Sequence, residues 1–353
     1  MSTYSETVRE LRSPGRIAYA STAELVPGRG VRLALGVMVP LTIGVCTGRY
    51  AYGVYAALGA LPSGFAAMTG TRSKKPTAVA LAAVGMAAGA FVGALAAGTA
   101  ALLVFFIAAF AYLAGIAGAF GDRVAIAALQ WPAALLIATS VPQTARQAAV
   151  HAGLVLAGGL GQAALVALAV ALHAEPADAA PTSDRRGSRA FARHLTGTFR
   201  IHVGIKTNQG RHALRLAVTA AAAQSAALLL GLAHPYWAAL TAVLVLKADH
   251  VLTVRRSLDR IGGTAVGILL GPLLVAPAHL GPAALLPGAA LAMTLAYAVF
   301  PASYFLYTVF LTGFVVVLLD LLGFGAGGTL LPRLTATLLG GVIALVASHV
   351  RRS

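Results

Sequence analysis

The chain has 353 residues, of which 59% are hydrophobic and only 10% are charged. Soluble globular proteins carry about 25% charged residues and roughly 45–50% apolar ones, so this composition excludes a soluble protein with a well-hydrated surface. The 26 Lys and Arg against 10 Asp and Glu give a formal charge of +16, but the basic residues lie between long apolar runs, which indicates a membrane protein and not a nucleic-acid binder.

The apolar runs have the length of transmembrane helices, for which about 20 consecutive mostly apolar residues are needed. The sequence therefore predicts an all-α polytopic membrane protein with about 12 transmembrane helices. The predicted spans are 31–48, 52–69, 77–97, 99–119, 124–142, 147–173, 213–232, 235–249, 261–277, 282–299, 303–322 and 329–349. A lipid bilayer is the expected surrounding of all of them.

The Lys and Arg residues predict the orientation, because they accumulate in cytoplasmic loops. With the N-terminus inside, all but three of the 26 lie on the cytoplasmic side; the three are Arg49, Arg146 and Arg333. We therefore expect both termini to be cytoplasmic. The expected location is the bacterial cytoplasmic (inner) membrane.

The predicted organisation is two six-helix halves in tandem. A cytoplasmic tail, 1–30, precedes the first half, 31–173, and a basic cytoplasmic linker, 174–212, separates it from the second half, 213–353. The linker is either an interfacial amphipathic helix or a solvated segment. Short sequences recur between the halves at a constant offset: Val84-Gly85 and Gly89 match Val266-Gly267 and Gly271. Tandem repeats with the substrate bound between them are a common transporter plan.

The sequence offers no catalytic centre. It has no phosphate-binding loop, its carboxylates are far apart, and its one cysteine, Cys46, lies in an apolar run. His234 and His250 have no partner at the spacing of metal ligands. We therefore expect no enzyme activity, no cofactor and no metal site.

Three polar side chains at or within the predicted spans are candidates for proton coupling. Asp320 lies near the outer end of a span, where it either carries a proton or caps the helix. Asp249 and His250 close the short eighth span, and they form either a proton relay or part of a salt-bridged loop with Lys247 or Arg255. Asp259, next to Arg260, is interpreted as a structural ion pair.

The second and eighth spans are the candidates for substrate binding, because short or interrupted spans at matching positions indicate a transport site. Both begin with aromatic residues, and Pro62 is expected to interrupt the second. The candidate substrate-binding residues are Tyr52, Tyr55, His234, Tyr236, Trp237, Thr241, Arg256 and Arg260. The aromatic residues either stack on a substrate ring or form an interfacial belt. Basic turns at 72–75 and 255–260 are expected to attract anions to the cytoplasmic side.

One stretch resembles a known family. His234-Pro235-Tyr236-Trp237-Ala238-Ala239-Leu240-Thr241, followed by Arg256 and Arg260-Ile261-Gly262-Gly263-Thr264, is similar to the signature of the fusaric-acid-resistance family, which includes bacterial aromatic acid exporters. The resemblance implies proton-driven export of aromatic or other organic anions. It also implies kinship with plant anion channels built from a similar six-helix half. Larger members of the family carry a cytoplasmic domain between the halves, where this chain has only a short linker.

The leading hypothesis is a proton-coupled antiporter that exports small organic anions, such as aromatic carboxylates, or antimicrobial compounds. A passive anion channel is the first alternative, with the same arginines lining a pore. The second is a membrane scaffold or assembly partner that transports nothing. Association of the chain into a homo-oligomer stays open.

Overall fold

The computed structural model describes residue 25 and residues 27–68, 74–140, 143–172, 207–324 and 326–349. In this part of the chain all regular structure is helical, which confirms the predicted all-α class. The α-helices are α1 Pro27–Cys46, α2 Tyr50–Ala66, α3 Lys75–Ala96, α4 Ala100–Ala117, α5 Asp122–Ala138, α6 Ala145–Leu172, α7 Asn208–Leu229, α8 Tyr236–Val245, α9 His250–Val275, α10 Leu286–Val299, α11 Tyr304–Leu321 and α12 Ala326–His349. Most of the N-terminal tail, Arg72 and the linker up to residue 206 lie outside the described residues.

Eight of these helices, within the described ranges, are long and apolar enough to cross a membrane, three of them when the adjoining 3-10 turns are included: α1, α3, α4 (to Phe120), α6, α9 (to Leu280), α10 (from Pro282, 18 residues), α11 and α12. Of the other four, α2 and α5 have 17 residues and α8 has 10, whereas α7 carries Arg211 and Arg215 in its first turns. The protein is thus a multi-pass membrane protein by the length and composition of its helices. The arrangement of 12 spans as two repeats stays a prediction.

Two details of the sequence prediction were wrong. The ninth span was expected to begin at residue 261, but α9 begins at His250, so Arg255, Arg256 and Arg260 lie on a helix and not in a basic turn. The carboxylate of Asp249 caps this helix by accepting a hydrogen bond from the Leu252 N–H, at 3.0 Å. Pro62 does not interrupt α2, which continues to Ala66.

The described helices group into two compact units. Unit 1 comprises Met1–Val54 and Ala226–Ser353, and unit 2 comprises Tyr55–Ser225. In unit 1, α9 packs on α11 and α12, α8 packs on α12, and α1 packs on α10. In unit 2, α3 packs on α5 and α6, and α4 packs on α5. The first described helix, α1, thus belongs to the unit that holds most of the predicted second half. The division into halves at 31–173 and 213–353 stays a prediction.

Glycines set the closest helix contacts within each unit. Gly158 of α6 lies against the Ala56 carbonyl of α2, and Gly340 of α12 lies against the Ala238 carbonyl of α8. At each of these glycines a Cβ atom would overlap the neighbouring backbone. Small residues allow helix backbones to approach in this way in membrane proteins, where van der Waals packing replaces the hydrophobic effect between helices. The contact in unit 1 brings α8 and α12 together at the candidate site.

Candidate anion-binding site

Two buried arginines mark the candidate site in unit 1. Arg260 of α9 and Arg333 of α12 are each 3% exposed. Among the described residues, Nε and Nη1 of Arg260 and Nη1 of Arg333 have no hydrogen-bond partner. Arg260 acts electrostatically on Arg333, so the two positive charges lie within range of each other. Burying a charge without a partner is costly, and a second like charge adds to the cost.

Aromatic rings of α8 flank Arg333. Its guanidinium carbon lies 4.2 Å from the centre of the Trp237 ring, a cation–π distance. The Trp237 ring lies 5.0 Å from that of Tyr236, which in turn contacts His234 edge-on at 5.9 Å. Trp237 and Tyr236 are both buried. The rings of α8 therefore form one wall beside the guanidinium.

A second set of aromatic rings, on α11, accompanies the arginines of α9. The guanidinium carbon of Arg256 lies 4.2 Å from the centre of the Tyr304 ring. The rings of Tyr304 and Tyr307 are 5.4 Å apart, and both Arg256 and Arg260 act electrostatically on Tyr307. We call these seven residues the arginine–aromatic cluster: Tyr236, Trp237, Arg256, Arg260, Tyr304, Tyr307 and Arg333.

The cluster carries a net positive charge. The carboxylate on the same helix, Asp259, is buried, and the basic residues that act on it are Arg255 and Arg256. The predicted ion pair of Asp259 with Arg260 stays a prediction. No hydrogen bond from Nε or Nη1 of Arg260, or from Nη1 of Arg333, reaches a carboxylate in the part of the chain that the structure describes. The two inner guanidiniums can therefore bind an anion.

Buried hydroxyl groups lie on the same helices. Thr241 of α8, Ser257 of α9 and Thr312 of α11 have side-chain oxygens without a hydrogen-bond partner among the described residues. The Thr241 side chain borders Gly340 of α12, two turns beyond Arg333 on the same helix. Because hydroxyls both donate and accept hydrogen bonds, they add polar contacts along helices whose other buried side chains are mostly apolar.

Two of the predicted substrate-binding residues lie elsewhere. Tyr52 is 43% exposed, and the Arg49 guanidinium lies 6.0 Å from its ring. Tyr55 belongs to unit 2, where its ring stacks on His151 at 3.8 Å. The predicted residues that the fold brings together in the cluster are Tyr236, Trp237, Arg256 and Arg260, with His234 at its edge and Thr241 one turn along α8. Their part in binding stays a prediction.

The three candidates for proton coupling lie away from the cluster. Asp249 is exposed at the start of α9, about 16 Å along the helix from Arg260. His250 hydrogen-bonds Ser348 at 2.8 Å, and the Ser348 hydroxyl in turn donates to the Leu345 carbonyl. Asp320 is partly buried at the C-terminal end of α11, about 20 Å along that helix from Tyr307. Their role in coupling stays a prediction.

Two basic groups outside the spanning helices have lowered pKa values. Burial lowers the pKa of His234, so its imidazole beside Tyr236 is neutral at pH 7. Burial, together with the charge of Arg256, lowers the pKa of Lys247 to about 8. Lys247 lies in the connection between α8 and α9, where its backbone N–H donates to Thr253. At pH 7, His234 therefore adds little positive charge at the start of α8, whereas Lys247 is mostly protonated and adds positive charge beyond its end.

The sequence analysis missed Arg333. Its side chain was expected on the outer side of the membrane, near the start of the last span, but it lies on α12 and is buried against Trp237. The signal was present, because Arg333 is the one charged residue in the run Leu330-Leu331-Pro332-Arg333-Leu334-Thr335-Ala336. A lone charge in an apolar helix usually faces the protein interior and marks a functional position.

Comparison with known families bears directly on this cluster. Residues 220–347 match the model of the fusaric acid resistance protein-like family. This part of the chain, somewhat over a third of it, is thus similar to that family. The resemblance inferred from the sequence is thereby confirmed. The matched region includes all seven residues of the arginine–aromatic cluster, so the cluster is part of the fusaric acid resistance-like region.

Two curated bacterial proteins are similar over shorter stretches. "Uncharacterized protein ORF2" of Neisseria gonorrhoeae is 32% identical over 104 residues, which are 28% of this chain and 25% of that protein. An "Uncharacterized protein" of Haemophilus influenzae is 32% identical over 139 residues, which are 39% of this chain and 19% of that protein. The chain thus covers a quarter or less of the length of these relatives. No solved structure matches the chain.

Proposed function

We propose that the protein transports organic anions across a membrane and that Arg260 and Arg333 bind the anion. The observation that supports this most strongly is that both guanidiniums are 3% exposed and have N–H groups without a hydrogen-bond partner in the described part of the chain. An anion supplies both the missing charge and the missing acceptors. A carboxylate fits well, because its two oxygens match the planar fork of a guanidinium.

The aromatic rings favour a substrate with a ring of its own. Trp237 and Tyr236 on α8 and Tyr304 and Tyr307 on α11 provide apolar faces beside the guanidiniums. Aromatic pairs at centroid separations of 4.5–7 Å contribute about 0.5–1.5 kcal/mol beyond their area burial. Aromatic carboxylates, of which 4-hydroxybenzoate is a simple probe, are therefore the proposed substrate class.

The finer form of the proposal is proton-driven efflux from the bacterial cytoplasm, with both termini cytoplasmic. It is supported by the family assignment of residues 220–347 and by the distribution of Lys and Arg. Candidate carriers of the proton are Asp249, His250 and Asp320. A passive anion channel remains the first alternative, and a membrane scaffold without transport the second.

The experiment uses the full chain, purified and reconstituted in liposomes, with radiolabelled 4-hydroxybenzoate as the probe. Imposed pH and voltage gradients are varied separately for the wild type and for Arg260→Gln and Arg333→Gln. We expect flux in the wild type and a loss of about tenfold or more in each variant, because each substitution removes a buried charge that binds the carboxylate. Arg146→Gln is the matched control, since Arg146 is exposed on α6.

The outcomes separate the alternatives. Uphill flux driven by a pH gradient supports antiport, and its loss in Asp249→Asn or Asp320→Asn identifies the carrier. Flux that is only downhill and follows voltage supports the channel. Unchanged flux in both Arg260→Gln and Arg333→Gln refutes the assignment of the binding site. An absence of flux together with a stable partner protein on purification supports the scaffold.

A further inference from the structure

Unit 2 contains a counterpart of the Trp237–Arg333 contact. The rings of Tyr55 on α2 and His151 on α6 stack with their centroids 3.8 Å apart and their planes at 14°. Adding 182 to these two residue numbers gives 237 and 333, the positions of Trp237 and Arg333. In unit 2 an aromatic ring on α2 contacts a basic side chain on α6, and in unit 1 an aromatic ring on α8 contacts a basic side chain on α12. The number of residues between the ring and the basic side chain is the same in both units.

The backbone contacts around the two pairs agree with this correspondence. Gly158 lies against the Ala56 carbonyl in unit 2, and Gly340 lies against the Ala238 carbonyl in unit 1. Ala238 follows Ala56 by 182 residues, and Gly340 follows Gly158 by the same number. The pair Tyr55–His151 is therefore placed in unit 2 by the same helix contact that places Trp237–Arg333 in unit 1.

Most of the rest of the arginine–aromatic cluster has no counterpart in unit 2; Arg256 alone corresponds to a basic residue, Lys74, which is exposed before α3. At the same offset, Arg260 corresponds to Ala78 and Tyr307 corresponds to Ala125. What remains in unit 2 is the stacked pair, with an imidazole in the place of a guanidinium. A guanidinium is charged at every physiological pH, whereas an imidazole gains and loses its charge near neutrality.

Hydrogen bonds fix the imidazole of His151. Its Nδ1 lies 2.7 Å from Oε1 of Gln143, and Nε2 of Gln143 donates to the Tyr55 hydroxyl at 3.3 Å. Because an amide oxygen only accepts hydrogen bonds, Nδ1 of His151 carries a hydrogen in both protonation states. The titrating proton therefore binds at Nε2, and the Tyr55 ring stabilises the resulting cation.

We propose that His151 carries the coupling proton of the transport cycle, so that protonation gives unit 2 the positive charge that Arg333 holds permanently in unit 1. This inference rests on the proposed function. The proton binds at Nε2 from one side of the membrane and leaves the same atom to the other side, and no other bond forms or breaks. His151 thus joins Asp249, His250 and Asp320 as a candidate, and it is the one in a defined hydrogen-bonded stack.

Within the described part of unit 2, the side chains that pack around the Tyr55 ring of this pair are mostly apolar. From α2 the facing group is the Tyr55 phenol, and the other phenols of that helix, Tyr50 and Tyr52, lie at its start. The core next to Tyr55 is formed by apolar side chains of α3, α5 and α6: Met86, Ala90, Ala94, Ala134, Ala138, Ala148 and Val155, with Phe91 and Trp131 packed against it.

The charged residues of those helices lie at their ends. On α3, Lys75 and the preceding Lys74 lie about 22 Å or more along the helix before Ala90. On α5, Asp122 and Arg123 are about 16 Å or more before Ala134. On α6 itself, Arg146 is exposed and more than one turn before His151.

The test compares His151→Arg, which keeps a permanent charge, with His151→Gln, which has none, in the liposome assay. A pH-sensitive dye inside the liposomes reports proton movement while labelled 4-hydroxybenzoate reports substrate. For His151→Arg we expect downhill substrate flux without proton movement, and no dependence on pH between about 5 and 8. For His151→Gln we expect the loss of pH-driven uphill flux. His279→Gln, at an exposed histidine, is the control.

A second measurement does not depend on the substrate. The chain has 9 histidines, and nitrogen NMR of histidine-labelled protein, compared with His151→Gln, identifies the signal of His151. We expect Nε2 of His151 to titrate between about pH 5 and 8. A His151 signal that does not titrate, or wild-type coupling in His151→Arg, refutes the inference alone. Absence of 4-hydroxybenzoate flux in the wild type refutes the proposed function, and the inference with it.

Discussion

The guanidinium carbon of Arg333 lies 4.2 Å from the centre of the Trp237 ring, and both side chains are buried. The contact joins α12 to α8, which is the shortest of the described α-helices. The backbones of these two helices also meet at Gly340. A cation–π contact offsets only part of the cost of burying a guanidinium, since it is worth about 2 kcal/mol even when desolvated. Nη1 of Arg333, which has no hydrogen-bond partner among the described residues, is the group that we propose binds the anion.

The first prediction concerns the shape of the cation at position 333. Arg333→Lys keeps the charge but loses the planar fork, which both stacks on Trp237 and binds a carboxylate with two hydrogen bonds. We expect the affinity for 4-hydroxybenzoate to fall about tenfold, which corresponds to about 1.4 kcal/mol. The chain has 2 tryptophans, so in a Trp131→Phe background the fluorescence of Trp237 measures binding directly. Equal affinities with and without the Arg333→Lys substitution would contradict the proposal.

The second prediction separates stability from binding at Arg260. Arg260→Met removes a buried charge whose Nε and Nη1 have no hydrogen-bond partner among the described residues, and it keeps a flexible apolar side chain. Replacing such a charge with an apolar residue is often neutral or stabilising by about 1–4 kcal/mol. We therefore expect an unchanged or higher Tm in detergent, together with a loss of 4-hydroxybenzoate flux of about tenfold or more. A lower Tm would mean that the guanidinium is satisfied in the folded protein and supports the fold instead of the ligand.

Hydropathy predicted the helices well and their charged ends poorly. Each of the predicted spans overlaps one helix, and the short break at Ala97–Thr99 that separates α3 from α4 was placed correctly. The start of α9 was placed about three turns too late, at residue 261 instead of His250, because the charges of Arg255, Arg256, Asp259 and Arg260 were interpreted as a turn. The helix continues through them because Arg256 packs on Tyr304 and Arg260 is buried, and such contacts are absent from a single sequence.

The candidate site could be predicted only in part for the same reason. Trp237, Tyr236, Arg256 and Arg260 lie close together in the sequence, so a local motif was sufficient to select them. Arg333 lies far from Trp237 in the sequence, and the distribution of Lys and Arg placed it on the outer side of the membrane at the start of the last span. His151 was not selected at all, since a histidine in an Ala-rich helix carries no local signal. Both residues are recognised only once α6 and α12 are packed on the short helices.

The third prediction tests the close helix contact in unit 2. A Cβ atom at Gly158 would overlap the carbonyl of Ala56, and a backbone group cannot move aside as a flexible side chain can. We expect Gly158→Ala to lower the Tm of the purified protein by several degrees, since overpacking costs about 1–3 kcal/mol. Gly161→Ala on the same helix is the matched control, because nothing lies within 4 Å of its added Cβ. That control should be neutral or slightly stabilising, as Ala favours a helix over Gly by about 1 kcal/mol. Equal effects at the two positions would show that the contact of α6 with α2 does not depend on glycine.

The last prediction concerns the pH dependence of stability that arises from Lys247. Burial lowers the pKa of this ammonium to about 8 from an ordinary value of 10.5. Between these two values the unfolded chain binds more protons at Lys247 than the folded chain does, so this residue makes the folded state more stable as the pH rises through that window. Below pH 8 both states are protonated, and the cost of the buried charge is constant.

Lys247→Met should therefore unfold at a higher temperature than the wild type at pH 7, and the difference should shrink as the pH is raised from 8 to 10. Thermal unfolding in detergent at pH 7, 8, 9 and 10 measures it, with the wild type and the variant compared at each pH so that other titrating groups cancel. Lys74→Met, at an exposed position before α3, should show no such change with pH. A difference between wild type and Lys247→Met that stays constant across the range would mean that the Lys247 ammonium is solvated in the folded protein, and the connection between α8 and α9 would then contribute its full positive charge beside the arginine–aromatic cluster.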